Sequence, residues 1–313
     1  MPATTLTLTL RGPGGEPVDL RRTFFSHGLT ELPPMSVAPD ASSLEVTLPL
    51  PRGKPRLVTL RGGGTRARVT IHGPSASAGV QREVRSRLQH ILRLDEDLAG
   101  FYVQVKDDPD LGWVAQGAGR MVRGASVFED VVKTVCTTNC SWSATTKMIG
   151  TLVRELGAPA AGISDDGARG RAFPIPVAMA EVPESFYRDE VRAGYRGAYL
   201  RSLATSVAEE EIDLEELKDP DVPDEIVTER LLALPGVGPY AAAHINMMIG
   251  RYSTLILDSW TRPKYAKLTG RKSVKDATIV RRFKPYGRWA GLAFWLFLTK
   301  DWLDETPGGS AES

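Results

Sequence analysis

Hydrophobic and polar positions alternate with two different periods along this chain. In the first quarter, TLTLTL (5–10), LEVTLPL (44–50), RLVTL (56–60) and ARVTIHG (67–73) are short runs of alternating or β-branched residues. A period of two sends successive side chains to opposite faces, so these runs predict strands of an antiparallel meander with one face covered. PRGK and RGGG separate the last three runs, and the glycines at 62–64 read as a hairpin turn. After HGPSASAG the period changes: VQREVRSRLQHILRL (80–94) repeats its apolar residues at helical spacing. Further helices are expected over roughly 127–156, with a break near TTNCS, and over 176–182, 184–206, 224–233, 239–250, 259–269, 275–282 and 288–303. GAPAAGISDDGARGRAF (157–173) reads as a loop, and TPGGSAES at the end as a disordered tail. The expected class is therefore α+β: an N-terminal antiparallel β domain (1–77), an all-α domain (78–303) and a tail (304–313).

Composition narrows this only a little. The chain has 313 residues, enough for one large domain or two ordinary ones, and 42% of them are hydrophobic. No run approaches the ~20 consecutive apolar residues of a membrane span. The opening MPATTLTLTLRGPGG lacks the charged-then-apolar pattern of a signal peptide. An intracellular, cytoplasmic protein with no membrane partner is expected, and nothing asks for an oligomer, so a monomer. Cys136 and Cys140 lie poorly for a disulfide and are too few for a zinc site or an iron–sulfur cluster; small buried thiols are the simplest reading.

Net charge is +1, but the charges are unevenly placed. EEEIDLEELKDPDVPDE (209–225) is acidic. Between 262 and 288 stand Arg262, Lys264, Lys267, Arg271, Lys272, Lys275, Arg281, Arg282, Lys284 and Arg288, with Asp276 alone opposing them. Such a run is either a solvated face or a surface for phosphate.

LLALPGVGPYAAAHINM (231–247) places a Pro235-Gly236-Val237-Gly238 turn between two helical stretches. Pro239 suits a first helical position, where its missing N–H is not needed. The glycines permit positive φ and close approach, and leave the amides at the second helix's start open to an anion such as a DNA phosphate. A cap between two packed helices explains the turn equally well. Downstream, LILDSWTRPKYAK (255–267) sets Asp258 at the start of a helix, 258 − 240 = 18 residues after Tyr240.

On these residues the chain resembles the helix-hairpin-helix DNA glycosylase superfamily, whose signature L-P-G-[VI]-G-x-x-[TA]-A is followed about twenty residues later by an essential Asp. FEDVVKTVCTTNCSWSATTKMI (128–149), AFPIPVAMAEV with AGYRGAYLRSLA (172–182, 193–204) and YGRWAGLAFWLFL (286–298) are similar to further elements of that superfamily. The likeness covers about 78–303, and the β-rich start fits the TBP-like sheet of its 8-oxoguanine and bacterial 3-methyladenine branches.

The resemblance implies an enzyme of base excision repair that binds duplex DNA containing a damaged base, flips that base out and cuts its N-glycosidic bond. Asp258 is then the catalytic carboxylate, stabilising oxocarbenium character and positioning water; as a helix cap it has a plain structural use too. Where bifunctional members carry a nucleophilic Lys this chain has Tyr240, which cannot form a Schiff base, so a monofunctional, water-using enzyme without lyase activity is implied. Tyr240, His244, Tyr286 and Phe294 are the implied base pocket, and aromatic walls suit a cationic alkylated purine. Asn139, Gly236, Val237, Gly238, Trp260 and Arg262 are the implied DNA contacts. No cofactor is implied for catalysis. A structural monovalent or divalent cation at the hairpin, on the carbonyls of Leu232, Leu234 and Val237, is. Two rivals stay open. One is the 8-oxoguanine branch, favoured by Asn139 and GYRGAY but opposed by Phe294 standing where that branch has a Gln. The other is a non-catalytic binder of DNA lesions. The resemblance also implies a bacterial-type, nucleoid-associated protein.

Overall fold

The computed structural model describes residues 3–164 and 167–302; the expected tail lies outside the described residues. Five strands, β1 (Thr4–Thr9), β2 (Met35–Val37), β3 (Ser43–Leu48), β4 (Arg56–Gly63) and β5 (Arg66–Ile71), form one antiparallel sheet in the order β1-β5-β4-β3-β2. Its register stacks the apolar alternates across the strands: Leu6 faces Val69, Val69 faces Leu60, Leu60 faces Leu44, and Met35 faces Val46. That face is closed by α1 (Leu20–Phe24) and by Val84, Leu88 and Ile91 of α2 (Ala78–Ile91). The 77/78 boundary marks a change of period, while the packing runs across it: α2 shares the core of the sheet. The end of β4 does need its glycine, since Gly62, paired with Ala67, has φ +142° and a Cβ there would come within 2.8 Å of the Ala67 Cα.

The remaining helices are α3 (Ala99–Val105), α4 (Val127–Thr137), α5 (Trp142–Leu156), α6 (Pro176–Ala180), α7 (Arg196–Ala208), α8 (Asp224–Leu232), α9 (Pro239–Ile249), α10 (Thr261–Leu268), α11 (Asp276–Phe283) and α12 (Ala290–Thr299). Most lie where the periodicity puts them, including the break between α4 and α5. The continuous helix expected over 184–206 is not formed. A single π-helical turn (Phe186–Glu190) is followed by Arg192 and Gly194 at positive φ (+58° and +56°), and only then by α7. A left-handed residue ends a right-handed helix, which no apolar spacing reveals. Strand β2 and helices α1 and α3 are too short to carry a clear period.

Two helical cores flank α9. Ala241, Ala242, Ile245, Met248 and Ile249 pack with α4, α5 and α7, while Ala243 and Met247 pack with α3 and α12. The alanines answer a geometric need, because a helix buried on two sides requires small residues for close approach. The first ten residues of α4 are all buried, and so is every residue of α12. Among the described residues no helix is long and apolar enough to cross a membrane.

Candidate functional site: an open hairpin beside an aromatic cluster

The hairpin is built by the backbone. Leu234 N donates to Leu231 O at 3.1 Å and Val237 N to Leu234 O at 3.1 Å, folding the chain back after α8. Gly236 sits at φ +80°, and a Cβ there would lie 2.8 Å from Tyr199 Cδ2 and 3.2 Å from Val135 Cγ1. The turn is thus seated against α4 and α7 and admits no side chain. Gly238, the residue before α9, has open space on the side a Cβ would occupy, and no side chain caps the helix. The first amides of α9 are available to an anion, where the helix dipole favours negative charge.

From this hairpin Tyr240 and His244, one turn apart on α9, project together, with ring centroids 4.5 Å apart. The His244 ring meets Trp295 of α12 edge-on at 5.7 Å; Trp295 continues to Trp260 at 5.7 Å and Trp302 at 5.8 Å. Trp295 is fixed by its indole N–H, which donates to Ser26 O at 2.7 Å. The Tyr240 hydroxyl lies near the Thr137 side chain at the end of α4, and burial together with the Asp258 carboxylate raises its pKa. Burial lowers the His244 pKa to about 4, against the attraction of Asp258, so the imidazole is neutral at neutral pH.

Asp258 lies half-buried just before α10. Its Oδ1 accepts from Trp260 N at 2.8 Å and Thr261 N at 2.6 Å, while its own N–H donates to Thr261 Oγ1 at 2.8 Å. It does cap the helix, and that cap fixes the carboxylate. Both cap bonds use Oδ1, which leaves Oδ2 outside the cap. The structure therefore gathers Tyr240, His244 and Asp258 into one group.

Other expected residues fall elsewhere. Phe294 is fully buried against Tyr265 and Phe283, and the ring of α12 that meets His244 is its neighbour Trp295. This corrects the expectation that Phe294 lines the pocket: the two residues point about 100° apart on a helix. Tyr286 is likewise drawn away. Its hydroxyl donates to Asp108 Oδ2 at 2.5 Å and its ring packs on Phe283, with Arg282 and Asp110 as its charged surroundings. Trp260 is absorbed into the tryptophan cluster.

Arg262 forms a two-pronged pair with Asp276, at 2.8 and 2.9 Å. Lys264 pairs with Asp301 and Arg282 with Asp110. Three of the ten bases of the basic run are thus committed to carboxylates, whereas Lys267, Arg271, Lys272, Lys275, Arg281, Lys284 and Arg288 stay exposed.

Asn139 stands at the exposed tip between α4 and α5 with φ +48°, its Nδ2 donating to the Tyr195 hydroxyl at 3.2 Å. Arg196 lies over the Tyr195 ring at 4.7 Å and donates to Thr138 O, fastening this tip to α7. Tyr195 and Tyr199 are both exposed, and Tyr199 is the side chain on Gly236. The tip, the two tyrosines and the hairpin form one continuous surface. Trp295, Trp302 and Thr137 are the members that the residue pattern did not single out.

Cys136 is buried, its thiol pushed up to about 12 by burial, and Cys140 Sγ donates to Cys136 O at 3.1 Å; both are free. Among the described residues no group of three or more His, Cys, Asp or Glu could hold a metal ion. The carbonyls of the hairpin are a separate matter: the turn puts Leu234 and Val237 in hydrogen-bond contact, with glycine on each side of Val237.

The antiparallel sheet backed by helices, with its hairpin of two helices followed by a capped Asp, is a fold found in solved structures of other proteins. Three of these superimpose over almost the whole chain. One is MBOgg1 with a low-affinity DNA ligand, at TM-score 0.72, 20% identity, and coverage of 96% of this chain and 97% of that one. The 8-oxoguanine glycosylase/lyase of Clostridium acetobutylicum gives 0.69 and 20% over 90% and 92%. The 3-methyladenine DNA glycosylase of Archaeoglobus fulgidus gives 0.70 and 21% over 94% and 98%. No protein-family model and no curated protein matches the chain by sequence.

Proposed function

We propose that this chain is a monofunctional DNA glycosylase that extrudes a damaged purine, most readily an alkylated one, from duplex DNA and hydrolyses its N-glycosidic bond. The observation that carries the reading is the carboxylate of Asp258, fixed by the α10 cap within the electrostatic reach of Tyr240 and His244, beside an open helix N-terminus. A pure DNA grip has no use for such an anion, which repels phosphate. A glycosylase does, because the sugar develops positive charge as the base departs.

In this reading the amides at Gly238 and the start of α9 hold a backbone phosphate and fix the register of the duplex. A cation on the carbonyls of Leu232, Leu234 and Val237 fits as a purely structural clamp; those donors are neutral oxygens, and no chemical step passes through them. The extruded base enters against the aromatic cluster, where rings rather than amides dominate the walls. Stacking and cation–π contact favour an electron-poor, positively charged base there. Asp258 stabilises the oxocarbenium-like sugar and orients water toward its anomeric carbon. Tyr240 occupies the place an amine would need for covalent attack; a phenol forms no Schiff base, so the strand stays intact.

A second reading keeps the same chemistry with an oxidised guanine as substrate. It is favoured by Asn139 in its left-handed turn bonded to Tyr195, and by the fold's likeness to an 8-oxoguanine glycosylase/lyase. Incubation with duplexes carrying 3-methyladenine, hypoxanthine or 8-oxoguanine separates the readings. Abasic sites that break only on alkaline treatment are expected, formed fastest on the alkylated duplex; no abasic site on any duplex overturns the enzyme reading.

A further inference from the structure

The sheet is closed on one face by α1 and α2, and around the β4–β5 turn its other face is open. Alternation sends Thr7 and Thr9 of β1, Arg66 and Arg68 of β5 and Arg61 of β4 to that open side, and all five are exposed. The opposite end of the same face is covered by the segment after α5, where Ala161 N donates to Pro55 O at 2.9 Å and Leu57 is buried. The carboxylate of Glu45, on β3, is held by Arg169 at 2.8 and 2.9 Å.

The register puts Arg61 directly opposite Arg68, with Arg66 two residues along on the same side of β5. Like charges placed so, with Cβ atoms about 5 Å apart, destabilise a sheet. Nothing in the fold offsets this. Among the described residues no carboxylate pairs with any of the three guanidinium groups. Asp40, exposed in the turn before β3, is near enough to feel the charge of Arg61 but forms no ion pair with it, and Glu45 is already taken. A face kept polar for solubility mixes both signs, whereas this end carries one. The glycines beside it add a separate observation. Gly62 and Gly64 stand at positive φ (+142° and +65°), but Gly63 does not, and a Cβ on Gly63 would meet nothing within 4 Å. The fold does not need that third glycine. Opposite Arg66 in the ladder, its missing side chain leaves room for a group approaching from outside.

We propose that this open sheet face is a second DNA-binding surface, which holds a duplex segment other than the one seated on the hairpin. Guanidinium groups without partners, flanked by threonine hydroxyls, are the donors that contact phosphate oxygens. No Asn or Gln stands among them to read a base edge, so the contact is sequence-neutral. No large apolar side chain is exposed on this face to enter a lipid surface. The hairpin belongs to a different core from the sheet, and the closed face, not this one, turns toward the helices. A duplex on the hairpin therefore leaves the arginines free for a second segment, and one chain joins the two. The inference goes beyond the glycosylase reading and does not depend on Asp258.

The test combines Arg61→Thr, Arg66→Thr and Arg68→Thr in the full chain. Threonine suits a strand, and relieving the opposed charges should leave the thermal midpoint no lower than the parent's. A duplex carrying hypoxanthine is fixed to a surface and saturated with protein, and capture of a labelled undamaged duplex from solution is measured over a range of salt. The parent is expected to capture the second duplex, less so as salt rises. The triple variant is expected to lose that capture about tenfold or more, with a log–log salt slope flatter by roughly 0.9 for each phosphate contact removed. Its binding to the fixed duplex and its base release should match the parent's. No capture by the parent, or equal capture by the variant, overturns the second surface. Sedimentation of the DNA-free chain tests a rival occupant: a dimer that the three substitutions dissolve would mean that the arginines grip the acidic segment 209–225 of a second copy, which also overturns it. Capture without base release from any lesion duplex would instead fell the glycosylase reading and leave this surface standing.

Discussion

Asp258 commits one carboxylate oxygen to the cap of α10 and leaves the other outside it, so substitution separates its two uses. Asn caps a helix about as well as Asp. Asp258→Asn should therefore unfold thermally close to the parent and bind a lesion duplex, while base release falls by a factor on the order of 10² or more. Unchanged single-turnover release would show that the carboxylate is only a cap. Asp258→Ala should in addition lower stability by about 1 kcal/mol, readable in denaturant titration. Tyr240 makes a matching case. With a phenol at that position, borohydride should trap no enzyme–DNA adduct from the parent, whereas Tyr240→Lys supplies an amine able to form one. An adduct trapped with the parent would contradict the water-using mechanism.

The two hairpin glycines differ in what they demand of the element. Gly236 has φ +80° and Tyr199 against it; Gly238 has φ −95° and open space. Gly236→Ala should destabilise the fold by at least ~1–2 kcal/mol for the left-handed backbone alone, seen as a lower thermal midpoint, and weaken DNA binding with it. Gly238→Ala should fold normally and weaken only DNA binding, because its methyl group stands where a phosphate would approach. Equal effects on binding and folding at both sites would argue that the hairpin merely joins two helices. The basic run behaves as an element too. Since Arg262, Lys264 and Arg282 already answer Asp276, Asp301 and Asp110, its salt dependence should come from the exposed bases. Charge removal at Lys272 or Arg281 should flatten the log–log salt slope by roughly 0.9 for each phosphate left without its cation. Arg262→Gln should change it less.

Across the whole molecule, buried titratable groups give stability a definite pH dependence. Burial lowers His27 and His244 to about 4 and His90 to about 3, so between those values and about 6.5 the unfolded chain binds more protons than the folded one. Stability from these groups rises with pH through that window and is lost in acid. Asp130 opposes them. Burial raises it to about 7, so the folded state binds the extra proton, and its contribution falls as pH rises from about 4 to 7. Three groups outweigh one, and the thermal midpoint should climb from pH 4 to 6.5. Asp130→Asn should make that climb steeper; an unchanged climb would mean that Asp130 is ionised in the fold.

The sequence by itself determined whatever depends on neighbours along the chain. Period two set four of the five strands, period 3.6 set most helices, and Pro235-Gly236-Val237-Gly238 marked the hairpin because backbone conformation is a local property. Tyr240 and Asp258 were legible through the resemblance of their motif to a known family, and His244 because i and i+4 share a helix face. What only the tertiary structure decided is which residues meet from distant segments. Every residue of α12 is buried, and all but Thr299 are apolar, so no periodicity tells which ring faces α9; packing chose Trp295 over Phe294. Tyr286 was drawn to Asp108, 178 residues earlier, and Arg262 to Asp276, since a hydrogen bond or an opposite charge within reach outweighs a place in a motif. Local chemistry drew the hairpin and the carboxylate; the burial of α9 between two cores brought the aromatic wall to them.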